Sequence, residues 1–178
     1  LHKVVDYILE HFDQKTRRSS TYEHSVVTNV AASTRGRAQA DAIRESKRVR
    51  GFNAIFATAS IDAARSYYTQ FKLSQQNLTP DERLKVGTIF SYGANDSSDD
   101  GILDDEAFDT DSLPADARTF LEGAIGDYNE MFGTSYDTSA DKFGNYYKDV
   151  SQRLKNRELD LVIVVNMFLT GFDATTLN

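Results

Sequence analysis

The segment Leu159–Val165, LDLVIVV, constrains this chain more than any other. It is short, β-branched and almost uniformly apolar. Strands of that composition are buried on both faces, which is the situation of a central strand in a parallel sheet. Parallel neighbours need crossover connections, normally helices. The rest of the chain should therefore supply further strands separated by amphipathic helices.

It does. Val4, Val5, Ile8, Leu9 and Phe12 share one helical face, so Lys3–Lys15 reads as a helix, followed by a polar, basic connection over 14–22. Ser25–Ala31 is β-rich and short, a predicted strand. Arg37–Arg50 is rich in Ala, Arg, Lys and Glu and reads as a helix, with Gly51 as its C-terminal cap. Phe52–Thr58 is an apolar strand. Ser60 then offers an N-cap to a helix whose apolar face is Ile61, Ala64, Tyr68 and Phe71. Leu84–Ser91 is the next strand. Two further helical faces follow, one of Phe120, Leu121, Ala124, Ile125, Tyr128, Met131 and Phe132, the other of Phe143, Tyr146, Tyr147, Val150 and Leu154. The order of elements predicts the α/β class: a mostly parallel sheet with helices on both faces and ligands at the carboxyl ends of its strands.

At 178 residues the chain fits one domain, or one domain with an insertion. The absence of cysteine excludes disulfide scaffolds, thiolate metal sites and cysteine nucleophiles. No apolar run nears the roughly 20 residues that span a bilayer, so no membrane partner is expected. The opening Leu1-His2-Lys3 carries neither an initiator Met nor a signal pattern, and the chain reads as a piece of a longer cytoplasmic protein. Its net charge of −7 is concentrated in one place. Nine acids lie between Asn95 and Asp116 with no Lys or Arg among them, leaving 18 acids against 20 bases elsewhere. That 95–116 stretch reads as an acidic surface excursion. It lacks the ligand spacing of an EF-hand loop, and a solvated charge run is the simpler reading. The low overall charge therefore says little against a nucleic-acid partner. Arg35, Arg37, Arg44, Lys47, Arg48 and Arg50 form a basic cluster, readable as a footprint for a nucleic-acid backbone or as a solvated helix face.

Three candidate sites follow from the strand-end rule. Thr58 and Ser60 offer two hydroxyls at a helix N-terminus, suited to a phosphate oxygen, although capping alone explains Ser60. Ser91 follows the strand at 84–91. Thr170, Gly171 and Asp173 follow the most apolar strand, in the stretch NMFLTGFD. Asp173 is also readable as a simple N-cap. No GxxxxGK[ST] phosphate loop, strand-linked GxGxxG or GxSxG elbow occurs.

The block LDLVIVVNMFLTGFDATTLN at 159–178 closely resembles the motif V region of the motor (restriction, R) subunits of type I restriction-modification enzymes. FNAIFATASIDAARSYYTQF at 52–71 resembles their motif IV strand and helix, LKVGTIFSYGAN at 84–95 their next strand, and the run at 127–156 their helices before motif V. The resemblance implies a RecA-like lobe of the P-loop NTPase type, the second of two in a superfamily 2 ATP-dependent DNA translocase. It would fill residues 1–178, with 1–24 as a leading helix and connection. By position, Thr170, Gly171 and Asp173 would line the interlobe ATP cleft, and Thr58, Ser60 and Ser91 would touch the DNA backbone. ATP and Mg²⁺ would be held mainly by a first RecA-like lobe absent from this sequence, and an arginine motif would lie beyond Asn178. Double-stranded DNA, that first lobe, and the methylation and specificity subunits are the partners implied. The lobe would not be active alone. A non-catalytic α/β interaction module, or the second lobe of another superfamily 2 helicase, remain the alternatives.

Overall fold

A computed structural model of the chain describes residues 1–17, 20–29, 41–90 and 113–165. Its elements are α1 (His2–Lys15), β1 (Thr21–Val27), β2 (Arg44–Arg50), β3 (Ala54–Thr58), α2 (Ile61–Gln75), β4 (Val86–Phe90), α3 (Ala115–Phe132), α4 (Ala140–Lys155) and β5 (Leu161–Val165). The architecture is α/β, built on a three-stranded parallel sheet of order β3-β5-β4. This arrangement is consistent with a RecA-like lobe.

The apolar run of β5 explains its position. All five of its residues are at most 4% exposed, with Val162, Ile163 and Val164 fully buried. Every side chain of a strand points to one face or the other, so both faces of the sheet are covered at its centre. Helices α2 and α3 stack on one face. There Phe56 of β3 packs edge-on against Tyr67 and Phe71, and Phe90 of β4 stacks on Phe120, with ring centroids 5.7 Å apart. Tyr146 of α4 donates its hydroxyl to the carbonyl of Thr88 at 2.6 Å, and so occupies an acceptor of β4. Asp160 fastens the entry to β5: its carboxylate accepts from the Lys85 N–H at 2.8 Å and pairs with Arg157 at 2.8 Å.

Helix α1 begins and ends within one residue of its predicted bounds, and α2, α3 and α4 carry the expected apolar faces inward, except that Met131 of α3 is exposed. Burial of an amphipathic face sets these helices. Gly133 ends α3 in the left-handed conformation at φ 65°, which only glycine adopts without strain.

Two expectations need correction. The composition of 37–50 predicts a helix, yet within it Arg44–Arg50 is a strand that pairs antiparallel with β1, Thr21 opposite Arg50 and Val27 opposite Arg44. Arg, Lys, Glu and Ser differ from strand-favouring residues by only a few tenths of a kcal/mol in helix propensity, so a ready cross-strand partner overrides it. Gly51 does take a positive φ of 69°, but as the turn after a strand. Its N–H donates to the Ser20 carbonyl at 2.9 Å. Strand β1 begins at Thr21, four residues ahead of the expected Ser25, so part of the expected connection is paired backbone, and residues 30 and 31 of the expected strand lie outside the described residues. The two early strands thus form a separate antiparallel ribbon, not members of the parallel sheet.

Truncating β5 should test this core directly. Ile163→Ala removes a fully buried side chain and should lower unfolding free energy by about 2–5 kcal/mol, read as a fall in urea midpoint at unchanged slope.

Candidate functional site

The three parallel strands end in register. Thr58 lies opposite Val165, and Val165 opposite Phe90. One edge of the sheet therefore carries the carboxyl ends of all three strands, at Thr58, Phe90 and Val165. Ser91, Thr170, Gly171 and Asp173 lie outside the described residues, so of the predicted site residues the structure places Thr58 and Ser60.

These two hydroxyls are not equivalent. Thr58 closes β3, half-buried, and its hydroxyl donates across to the Val164 carbonyl of β5 at 3.1 Å, with the Ser60 carbonyl a longer alternative at 3.3 Å. A hydroxyl has a single proton, so Thr58 spends its donor on backbone and ties the strand ends together. Its sequence-based role as a phosphate donor requires that bond to be given up. Ser60 is exposed, with an extended backbone at φ −158° and ψ 162°. Its oxygen accepts from the Ala63 N–H at 3.2 Å, which caps α2. Capping uses a lone pair and leaves the Ser60 proton able to donate outward. The cap and the phosphate contact are therefore compatible in Ser60.

The start of α2 presents opposing charges to an anion. First-turn N–H groups lack acceptors within the helix and carry the positive end of its dipole. Asp62 in that turn would oppose an anion, but Arg65 pairs with it at 2.8 Å and reaches Asp116 at 3.4 Å. Both carboxylates are more than half exposed, so these pairs temper the local charge without adding much stability.

Among the described residues, two open grooves lie on the helix layer. One, of about 730 Å³, runs between α2 and α3 past Arg65, Lys72, Phe120 and Asp127. The other, of about 640 Å³, lies lower on α2, among Gln75, Arg83, Lys85 and Met131. They meet at Asp127, which accepts from Tyr68 at 2.8 Å and pairs with Lys72 at 2.6 Å. Burial, then the Asp127 charge, pushes the Tyr68 phenol far above its ordinary pKa. Tyr128 is raised in the same way by burial and by Asp149, a fully buried carboxylate that Arg153 neutralises at 3.2 Å. Both phenols stay protonated and act as donors, so these clusters are structural fasteners. Among the described residues no group of three or more His, Cys, Asp or Glu is arranged to hold a metal ion, and no helix is long and apolar enough to cross a membrane.

Residues 50–178 match the family model described as type I restriction enzyme subunit R domain 3. The chain belongs to that family. A 133-residue stretch is 37% identical to the endonuclease subunit of a type I restriction enzyme from Staphylococcus aureus (strain MRSA252), covering 74% of this chain and 13% of that relative. The corresponding subunit from Staphylococcus saprophyticus is 40% identical over 133 residues, with the same coverage of both chains. The restriction-subunit match thus takes in the whole parallel sheet and α2 to α4, including Thr58, Ser60 and all the residues of the motif V stretch. The matched stretch spans 13% of the length of these curated relatives.

Sequence reasoning located Ser60 through its capping pattern. It missed Asn156 at the end of α4, whose side-chain amide accepts from the Val27 N–H at 2.9 Å and donates to the Val27 carbonyl at 2.7 Å. A partner 129 residues away leaves no local signal.

The cap that Ser60 places on α2 can be checked. Ser60→Ala should cost about 1 kcal/mol of stability, whereas Ser60→Asp, an equally good cap, should change it by only a few tenths, measured by chemical denaturation.

Proposed function

We propose that this chain is the second RecA-like lobe of the motor in a type I restriction enzyme, an ATP-dependent translocase of double-stranded DNA. One observation carries the reading. A restriction-subunit family match covers a parallel sheet whose strand ends align, with Thr58 beside the strand that leads into Thr170, Gly171 and Asp173. That alignment supports a single working edge at which DNA-gripping and nucleotide-facing segments meet.

The described residues do not by themselves fit a complete ATP site. The sequence has no phosphate loop, and no described acidic cluster suits Mg²⁺. The lobe is thus one wall of a cleft, and the first RecA-like lobe of the full chain supplies the other. Bound there with Mg²⁺, ATP provides the free energy of phosphoryl transfer. Thr170, Gly171 and Asp173 contribute this lobe's side of the cleft.

The lobe's own work is to hold DNA. Ser60 donates its free proton to a phosphate oxygen while its lone pair keeps α2 capped, and the N-terminus of α2 adds its dipole. Ser91 offers a second hydroxyl from the end of β4. Thr58 keeps β3 and β5 locked, so that a movement of one lobe against the other is transmitted rather than absorbed. Phosphates look alike at every base pair, so the grip is independent of sequence. Choice of site belongs to the methylation and specificity subunits of the complex. Cleft closure then shifts one grip relative to the other.

In the full-length protein, Thr170→Ala and Asp173→Ala should each lower DNA-stimulated ATPase and triplex displacement by at least about tenfold, equivalent to 1.4 kcal/mol. Wild-type rates in both variants would remove these residues from the cleft. Strand separation in place of triplex displacement would favour a helicase of another superfamily 2 branch.

A further inference from the structure

The antiparallel ribbon β1–β2 lies ahead of the residues matched by the family model, except at Arg50. Its two strands hold four bases, Arg44, Lys47, Arg48 and Arg50, against the acids Glu23 and Glu45, within a basic stretch of an otherwise acidic sequence. Residues 15–50 hold nine Lys and Arg against three acids, while the other 142 residues hold 11 against 24.

The ribbon is mounted firmly on the body. Asn156 binds both backbone groups of Val27, and Val26 and Val27 are each 3% exposed. At the other end Phe52 donates to the Thr16 carbonyl at 2.7 Å. Beyond β1 the pairing continues, since Asn29 accepts from the Ile43 N–H and donates to the Asp41 carbonyl, both at 2.8 Å. With β1 anchored, β2 faces outward. Residues 41–48 are all exposed.

Alternation puts Arg44, Ser46 and Arg48 on one face, with Ser25 opposite Ser46. Arg48 is partnered only loosely by Glu23, at 3.9 Å and with both side chains more than 70% exposed. An ion pair of that kind is worth little and is readily exchanged. Four residues of strand separate Arg44 from Arg48 by about 13 Å, close to the roughly 12 Å width of the B-DNA major groove. Arginine forks bind phosphate bidentately, and the serines between them add hydroxyl donors.

We infer that the Arg44–Arg48 face of this ribbon is a second DNA-backbone contact of the lobe, with the two guanidiniums reaching phosphates on opposite lips of a groove. The inference rests on the DNA-translocase reading given above. A grip on a rigid arm away from the strand-end edge would keep the lobe on its track while contacts at that edge are remade.

The test is equilibrium binding of a fluorescent nonspecific duplex to the full-length protein across a salt series, for wild type, Arg44→Ala/Arg48→Ala and Arg44→Lys/Arg48→Lys. Each phosphate contact contributes about 0.9 to the slope of log affinity against log salt. The alanine pair should flatten that slope by about two units and weaken binding alike for all sequences, whereas the lysine pair should keep the wild-type slope. Both arginines are exposed, so the thermal melt should not move. A wild-type slope in the alanine pair, with wild-type DNA binding intact, would overturn the ribbon contact alone. A shifted melt with that unchanged slope would assign the arginines to the acidic stretch of the same chain, and lost subunit assembly with that slope would assign them to an acidic protein; either overturns the inference. A wild-type protein that binds no duplex would overturn both this contact and the translocase reading.

Discussion

The burial of β5 between β3 and β4 is the constraint from which the rest of the domain follows. A strand that is apolar on both faces can be satisfied only at the middle of a covered sheet, and its neighbours must then be parallel and reached by crossovers. Helix α2 makes the crossover from β3 to β4 and leaves the gap that β5 fills. That gap brings Thr58 beside Val164, and with it one edge where all three strands end. Packing and the alignment of the three strand ends are thus two consequences of one hydrophobic segment.

Polar groups then fix what the apolar core leaves loose. Asp160 pins the entry to β5, Tyr146 occupies a carbonyl of β4, and Asn156 seats the ribbon. Each of these hydrogen bonds is buried or nearly so, where leaving a partner unmade costs about 1–3 kcal/mol. They select one arrangement among several that would bury similar area. Neutralised Asp149 and the Asp127 cluster do the same between helices, which is why their raised tyrosines mark fastening rather than chemistry.

Most of the parallel half was legible in the sequence because its signals are local. The 3.6-residue periodicity of Ile61, Ala64, Tyr68 and Phe71 reports a helix whatever its neighbours do. LVIVV reports its burial through composition alone. The ribbon was not legible, because Arg-Glu-Ser-Lys-Arg is compatible with helix or strand and its partner at 21–27 lies some twenty residues upstream. Its basic character was visible, but its shape was not. The same limit applied at the site. Ser60 as a cap could be read from its position before an apolar helix, whereas the commitment of the Thr58 proton depends on a carbonyl 106 residues away. The roles proposed for Thr170, Gly171 and Asp173, with Ser91, rest on the sequence resemblance alone.

The central claim is that the strand-end edge, and not the grooved helix layer, faces DNA. It is tested most directly by photo-cross-linking. These 178 residues hold no cysteine, so once any cysteines elsewhere in the full-length protein are replaced, single photoreactive labels can be set at Ser60→Cys and at Leu73→Cys, the latter 53% exposed and near the far end of α2, about 20 Å away along the helix. In the full-length protein on duplex DNA, the label at position 60 should capture DNA and the label at 73 should not. Capture at 73 with none at 60 would place the duplex against the helix layer and contradict the account.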